Sequence, residues 1–246
     1  MDEAELAAAI DHTILGGATR WENVRRVMDE AADYGMNACI PPCYVADAAE
    51  YARSAADAAS TDRPEGDASD VTLATVIGFP HGHHHTEIKR REAELAHEDG
   101  ADELDMVMNA GRLKSGDEEF VLEDIEAVVD ATPLPVKVIL ETANLKHTEK
   151  KRACELAVEA GAEFVKTSTG FADGGATLFD VRFMNTFDIK VKASGGIGSY
   201  SMAKQFLDIG ADRIGASRGV KIMEQFREMQ GKEPKRDTVR AGRRVY

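Results

Sequence analysis

Two hydrophobic patterns alternate along most of the chain. Segments rich in Ala and Glu, with apolar residues at helical spacing, end in glycine, and short β-branched runs follow them. The short runs predict eight strands, at residues 10–14, 36–41, 71–78, 102–108, 135–141, 163–168, 189–194 and 212–216. This alternation of strand and helix favours a parallel sheet covered by helices.

Eight strands with intervening helices in 246 residues predict a closed (β/α)8 TIM barrel, with residues 1–246 as a single domain. An open doubly wound sheet is the alternative, but no GxGxxG motif follows the first strand, so a dinucleotide site is not indicated. The polar segment 60–70 is expected to be a flexible loop. Residues 232–246 form a basic C-terminal tail, whose Tyr246 could reach the barrel mouth and transfer protons, or which could be disordered.

Three glycines that end predicted helices are followed by similar residues, which are GADELD from Gly100, GAEFVK from Gly161 and GADRIG from Gly210. Strand side chains alternate between two faces, so equal offsets from these glycines imply equal facing and equal height. The residues at the same offset are Asp105, Lys166 and Gly215. They are therefore expected to lie on one rim, at the carboxyl ends of strands, where barrels of this kind place their active sites.

Two lysines stand near the ends of successive predicted strands, Lys166 in EFVKTSTGF and Lys192 in IKVKASGGI. A lysine amine attacks a carbonyl only when it is neutral, and a neighbouring ammonium favours the neutral form by repulsion. Asp105 could then move protons, directly or through a water molecule. The alternative for a single strand-end lysine is a surface residue whose stem covers apolar surface, but two on successive strands favour catalysis.

The charge balance excludes several classes of partner. The chain has 44 acidic and 30 basic residues and a net charge of −14, which disfavours binding to nucleic acid or anionic membranes. No apolar stretch approaches the length of a membrane span, and a cytoplasmic location is expected. The acidity is typical of proteins from salt-loving organisms, although acidic faces are often simply solvated. Three cysteines without a CxxC pair argue against disulfides and structural zinc.

Several motifs together resemble the deoxyribose-phosphate aldolase family. They are DHTIL (11–15), NACIPPCYV (37–45), VIGFPHG (76–82), ELDMVMNAGRLKSGD (103–117), KVILETANL (137–145), FVKTSTGF (164–171), VKASGGI (191–197) and ADRIGAS (211–217). The resemblance implies a class I aldolase that reversibly cleaves 2-deoxy-D-ribose 5-phosphate to acetaldehyde and D-glyceraldehyde 3-phosphate, in deoxyribonucleoside catabolism, without cofactor or metal. It implies that Lys166 forms the imine, that Lys192 assists it and that Asp105 handles protons.

Glycine-rich turns follow the last three predicted strands, where such barrels commonly bind phosphate. Simple turns are the alternative for each fragment alone. By resemblance, the phosphate contacts are assigned to Thr169, Gly170, Gly195, Gly196, Gly215 and Ser217. The expected partner is therefore a small sugar phosphate, and the chain is expected to form a homo-oligomer, either a dimer or a tetramer.

Further residues are weaker candidates for the substrate site. Asp11 and Thr13 could position substrate hydroxyls, and Cys39 either lines the pocket or is a small buried hydrophobe. Lys137 could pair with carboxylates inside the barrel, and a purely structural salt bridge explains it equally well. The HGHHH segment (81–85) could bind a transition metal, but an imine mechanism needs none, so only adventitious binding is expected.

Two other functions remain open at this point. A different imine-forming aldolase or a transaldolase on the same barrel would accept a ketone donor in place of acetaldehyde. A barrel that only binds phosphate, with the lysines as anion receptors, would bind ligand without exchanging carbon.

Overall fold

The computed structural model describes residues 1–58 and 71–235, with the side chains of residues 55–58 left out. The predicted loop at 60–70 and the end of the tail, including Tyr246, lie outside these residues. Lys232 pairs with Glu3 at 2.7 Å, so the described start of the tail lies beside the first helix.

Eight parallel strands close a barrel in chain order, because the first strand pairs with both the second and the eighth. The TIM barrel prediction is therefore confirmed, and each predicted strand is present with its ends shifted by two residues or fewer. The strands are β1 (Ile10–Thr13), β2 (Asn37–Ile40), β3 (Leu73–Ile77), β4 (Glu103–Val107), β5 (Val136–Ile139), β6 (Phe164–Lys166), β7 (Lys190–Ser194) and β8 (Arg213–Ala216).

Helices of the described residues surround the barrel. They are α1 (Glu3–Ala8), α2 (Trp21–Tyr34), α3 (Val45–Ala58), α4 (Thr86–Glu98), α5 (Ala110–Lys114), α6 (Glu118–Val129), α7 (His147–Glu159), α8 (Leu178–Met184), α9 (Tyr200–Asp208) and α10 (Gly219–Met229). Gly100, Gly161 and Gly210 follow α4, α7 and α9 with φ of 100°, 77° and 101°, the left-handed conformation that helix ends favour in glycine. No helix in the described ranges is long and apolar enough to cross a membrane.

The strand register arranges the inward side chains in layers. Lys166 of β6 pairs with Lys192 of β7, and Lys192 pairs with Arg213 of β8. The barrel strands are tilted, so the residues at equal height come from every second strand, and each layer contains four of them. The lower layer contains Asn37, Glu103, Phe164 and Arg213, and the middle layer Asp11, Ala74, Lys137 and Lys192. The upper layer contains Cys39, Asp105, Lys166 and Gly215, and the rim layer Thr13, Val76, Ile139 and Ser194.

The shared layer of Asp105, Lys166 and Gly215 confirms the equal facing and height predicted from their equal offsets, although this layer lies one below the rim itself. The outward side chains of the strands, such as Val138 and Val165, are buried under the helices in the main hydrophobic core. Bulky aliphatic residues usually fill the interior of such a barrel. Here the interior holds charged groups instead, and these define the candidate site.

Candidate active site

The inside of the barrel contains a network of buried and partly buried ionisable side chains from six strands. Its members are Asp11, Glu103, Asp105, Lys137, Lys166, Lys192 and Arg213. Burying charges costs several kcal/mol per ion unless each finds an opposite partner. Each of the seven has at least one such partner.

Asp105 is the centre of this network. Its Oδ2 accepts hydrogen bonds from Lys166 Nζ at 2.7 Å and from Lys192 Nζ at 2.6 Å, and its Oδ1 lies 3.0 Å from Lys137 Nζ. Burial opposes ionisation of Asp105, but the three ammonium groups outweigh it and hold the pKa of the carboxyl well below its usual range. Asp105 is therefore ionised, which is the form that the predicted proton transfer would require.

Lys192 is held between two carboxylates. Besides Asp105 it pairs with Asp11, and both partners are fully buried. Burial disfavours its charge, yet these carboxylates raise the pKa of Lys192 above its ordinary value. Lys192 is thus a lasting cation beside Lys166. Asp11, predicted to position substrate hydroxyls, lies a layer lower and contacts Lys192 and Arg213 instead.

Lys166 is the least compensated cation of the network. Lys137, Lys192 and Arg213 each contact two carboxylates, whereas Lys166 contacts only Asp105 among the described residues. It also lies in the upper layer at the carboxyl end of β6, with its side chain 4% exposed. Position and pairing both make Lys166 the amine that is most readily released for chemistry.

The lower layer contains two charged residues that the sequence did not predict for the site. Arg213 donates to Asp11 Oδ1 at 2.8 Å and to Glu103 Oε1 at 3.1 Å. Glu103 also lies 2.6 Å from Lys137 Nζ. The predicted pairing of Lys137 with carboxylates inside the barrel is thus confirmed. The only indication in the sequence that Glu103 faces the site is its position two residues before Asp105 on the same strand.

An apolar wall faces the lysines. Cys39, Ala74 and Val76 form a small cluster inside the barrel, and Leu15 and Phe79 pack against it. Burial raises the pKa of the Cys39 thiol to about 11, so Cys39 is a neutral thiol in this wall. Both sequence readings of Cys39 fit its position, because it is a buried small residue and also lies in the layer of Lys166.

The loops after β6, β7 and β8 contain the predicted phosphate contacts. Gly170, Gly195 and Gly196 have φ of 86°, 93° and 83°, and no atom lies within 4 Å of a side chain built at Gly170 or Gly196. Ser217 is exposed two residues before the start of α10, whose N-terminus attracts anions. These four residues offer backbone N–H groups and a hydroxyl around one region of the rim.

Two of the predicted phosphate residues are placed differently. Thr169 donates its N–H, at 3.1 Å, and its hydroxyl to Glu141 Oε2, so its donors are already engaged. Gly215 lies in the upper layer, where a Cβ atom would stand 3.2 Å from Lys192 Cε and 2.9 Å from Ser194 Cβ. The geometry gives Gly215 the task of leaving room for Lys192.

Arg218 is a rim cation that sequence reasoning missed. It is exposed between Ser217 and the start of α10, and its Nη1 would lie 3.3 Å from a Cβ atom at Gly198, on the loop that also contains Gly195 and Gly196. Only its place directly after the GAS motif could have indicated it. Thr13 lies half-buried in the rim layer, where its hydroxyl donates to the Asp11 carbonyl at 2.8 Å.

The histidine segment has structural contacts. His85 Nδ1 accepts from Glu87 N at 3.2 Å at the start of α4, and His84 lies 3.5 Å from Glu92. The His81 and His83 rings are 6.1 Å apart. Across residues 1–58 and 71–235, no group of three or more His, Cys, Asp or Glu residues is arranged to hold a metal ion.

The fold and the network together define a class of protein. A parallel barrel with an amine-bearing side chain, a second cation and a carboxylate at the carboxyl ends of its strands is built for imine chemistry on a carbonyl compound. A family model described as DeoC/LacD family aldolase matches residues 6–224. The chain belongs to this family of aldolases, which are carbon–carbon lyases.

Individual relatives agree with the family match. The deoxyribose-phosphate aldolase of Halobacterium salinarum is 54% identical over 228 residues, which cover 93% of this chain and 100% of the relative. The protein of the same name from Haloquadratum walsbyi is 54% identical, with 91% and 96% covered. The solved tetrameric deoxyribose phosphate aldolase from Aeropyrum pernix is 33% identical, with a TM-score of 0.81 and 93% of both chains covered. The halophilic sources of the first two relatives agree with the acidic composition of this chain.

Proposed function

We propose that the protein reversibly cleaves 2-deoxy-D-ribose 5-phosphate to acetaldehyde and D-glyceraldehyde 3-phosphate through an imine on Lys166. The observation that carries the proposal is that Lys166 and Lys192 share one oxygen of Asp105 in the layer below the rim. Both the curated relatives named above are deoxyribose-phosphate aldolases and support the same substrate. The cleavage fits the breakdown of deoxyribonucleosides, and its phosphorylated substrate fits a cytoplasmic enzyme.

Imine formation begins with attack of the neutral Lys166 amine on C1 of the open-chain sugar. The carbinolamine loses water and leaves a cationic iminium on Nζ. Asp105 gains a free lone pair when the Lys166 ammonium is consumed, because that ammonium is one of the two donors on its Oδ2. Lys192 stays bound to Asp105 and Asp11 and holds the carboxylate in place.

Cleavage requires the loss of a proton from the hydroxyl on C3. Asp105, directly or through a water molecule, accepts this proton while the C2–C3 bond breaks and its electrons move into the iminium to form an enamine. Glyceraldehyde 3-phosphate is the first product. Protonation of the enamine at C2 and hydrolysis of the resulting imine release acetaldehyde and regenerate Lys166. The apolar wall around Cys39 suits the methyl group of that product.

The phosphate of the substrate is proposed to bind to the loops after β6, β7 and β8. Gly170, Gly195 and Gly196 would supply backbone donors, and Ser217 a hydroxyl next to the N-terminus of α10. Thr169 and Gly215 would act indirectly, the first by fixing its loop through Glu141 and the second by making room for Lys192.

Trapping of the imine tests the proposal. The protein is incubated with acetaldehyde and borohydride, which reduces an imine to a stable amine, and the modified peptide is identified by mass spectrometry. An ethyl group on Lys166 is expected, with neither label nor turnover in Lys166→Arg. Lys190→Arg is the matched control, since Lys190 is an exposed lysine two residues before Lys192 and pairs with Glu163 at 2.6 Å.

Other outcomes of the same experiment distinguish the alternatives. A label on Lys192 with Lys166 unmodified would contradict the assigned nucleophile. Labelling by a ketone donor such as dihydroxyacetone, but not by acetaldehyde, would indicate another imine-forming aldolase or a transaldolase. Binding of the sugar phosphate without any trapped imine would indicate a barrel that only binds its ligand.

The assembly is also part of the proposal. We infer that the chain forms a homo-oligomer, either a dimer or a tetramer, since the structurally similar protein of Aeropyrum pernix is described as a tetramer. Sedimentation equilibrium at molar KCl measures the mass of the particle, and the 26.7 kDa mass of one chain would contradict the inference.

A further inference from the structure

We propose that Arg213 and Glu103, in the lower layer of the barrel, are positioning residues that set the pH at which Lys166 forms its imine. The inference rests on the proposed function of Lys166 and goes beyond it, because neither residue can reach the substrate. Both lie two layers below Lys166 and three below the rim layer, and both act through Asp11, Lys137 and their partners.

The contacts make a continuous chain from the lower layer to Lys166. Arg213 binds Asp11 and Glu103 at 2.8 Å and 3.1 Å, and Asn37 adds a hydrogen bond to Asp11 Oδ1 at 3.1 Å. Asp11 pairs with Lys192, and Glu103 pairs with Lys137 at 2.6 Å. Both lysines then contact Asp105, the partner of Lys166. The side chains of Lys137, Lys192, Asp11 and Asp105 are fully buried, so water screens these links little.

Formal charges in the network explain why the lower layer matters. Four cations, on Lys137, Lys166, Lys192 and Arg213, face three carboxylates, on Asp11, Glu103 and Asp105. The remaining titratable group of the upper layer, the Cys39 thiol, is neutral. One positive charge is therefore in excess, and the network becomes neutral when Lys166 is the free amine.

Lys166 has one carboxylate contact among the described residues, whereas each of the other three cations has two. Burial opposes the charges on Lys137 and Lys192, but Asp105 and the other carboxylates raise the pKa of each. A guanidinium such as Arg213 does not lose its proton in proteins. Arg213 thus supplies a fixed positive charge. Together with Lys137 and Lys192 it balances the charges of the three carboxylates, so no carboxylate remains to balance the charge of Lys166.

Changes at the two positions have opposite signs. Arg213→Gln removes a cation, so the network favours a charged Lys166 and imine formation is expected to need a pH higher by about one unit. Glu103→Gln removes a carboxylate, so the Lys166 ammonium is less stable and the midpoint is expected to fall by about one unit. Arg213→Lys keeps the charge and is the matched control, with a midpoint near that of the wild type.

The experiment measures the rate at which cyanoborohydride traps the acetaldehyde imine on Lys166 as a function of pH, in molar KCl, for each full-length variant. Near-UV circular dichroism verifies folding at each pH. Opposite shifts for the two Gln variants, with the double variant Glu103→Gln/Arg213→Gln near the wild-type midpoint, would support the inference. Should one single variant fail to fold, the sign of the shift in the other tests the proposal by itself.

Two results would overturn the inference. Shifts of the same sign, or midpoints within about 0.2 pH units of the wild type in folded variants, would show that the lower layer acts only on structure. Absence of a trapped imine in the wild-type protein at every pH would overturn the proposed function itself, and so is distinguishable from a failure of the charge argument alone.

Discussion

The two lysines near the rim differ in the number of carboxylates that hold them. Lys192 is bound by Asp105 and Asp11 in the middle layer, and its pKa is raised, so it cannot serve as the neutral nucleophile. Lys166 shares Asp105 with it and has no second carboxylate among the described residues. A hydrophobic barrel alone would not create this difference. The two lysines have different proposed roles because Lys192 lies one layer lower than Lys166, where it also contacts Asp11.

Arg218 leads to a prediction about the phosphate. Its guanidinium lies beside the loop that contains Gly195 and Gly196, and charge-assisted hydrogen bonds to phosphate are among the stronger ones. Arg218→Ala is expected to raise KM for 2-deoxyribose 5-phosphate about tenfold, which corresponds to about 1.4 kcal/mol. The measurement compares steady-state kinetics with phosphorylated and unphosphorylated 2-deoxyribose, and Arg218→Lys is the control that keeps the charge. An equal loss with both sugars would contradict a role in phosphate binding.

The position of a site residue could be predicted from the sequence where a local pattern specified it. Asp105 and Lys166 share an offset from a helix-ending glycine, and strand alternation then fixes their facing. Glu103 and Arg213 could not be paired in this way, because only the closed register brings positions 110 residues apart into contact. The engagement of Thr169 by Glu141 depends on a loop conformation, with Glu141 at a φ of 54°, that no periodicity specifies.

At the scale of elements, the site requires β8 to carry a residue without a side chain where it faces Ser194 and Lys192 of β7. Gly215 and Ser194 are adjacent across these strands, and the Lys192 stem passes the same point. The strands themselves followed from short apolar runs between helical segments, and the sequence predicted all eight. Their shear did not follow, because hydrophobic periodicity does not specify how far one strand slides past the next.

Gly215→Ala tests this close approach. The added methyl group would stand 2.9 Å from Ser194 Cβ, closer than real Cβ atoms come, so β8 or Lys192 must move. A destabilisation of about 1–3 kcal/mol is expected, as for other overpacked sites, with a loss of kcat of at least about tenfold because Lys192 leaves Asp105. Denaturant titration and steady-state kinetics measure the two effects.

Gly17→Ala is the matched control for this variant. Gly17 is exposed, and no atom lies within 4 Å of a side chain built there. It should leave both stability and kcat unchanged. If Gly215→Ala kept the wild-type kcat, the spacing between Lys192 and β8 would not matter for catalysis, and Gly215 would regain its assignment as a simple phosphate contact.

At the scale of the whole molecule, charge acts in two places that salt should distinguish. The net charge of −14 lies mostly on the surface, where repulsion among carboxylates extends over about 10 Å at 0.1 M salt and about 3 Å at 1 M. Surface ion pairs such as Arg91 with Glu98 oppose this repulsion, but exposed pairs of this kind contribute little to stability. The network inside the barrel is buried, and mobile ions screen it much less.

Raising KCl from 0.1 M to 2 M is therefore expected to increase Tm by several degrees, while the pH midpoint of imine trapping on Lys166 stays within about 0.3 units. Differential scanning calorimetry and the trapping assay measure the two quantities on the same protein. Sucrose at equal osmolality is the control, because it favours burial without screening charge. A Tm that stays flat or falls would mean that the acidic surface gives no stability in salt. A trapping midpoint that moved with salt would mean that ions reach the network, since only charges open to solvent respond in that way.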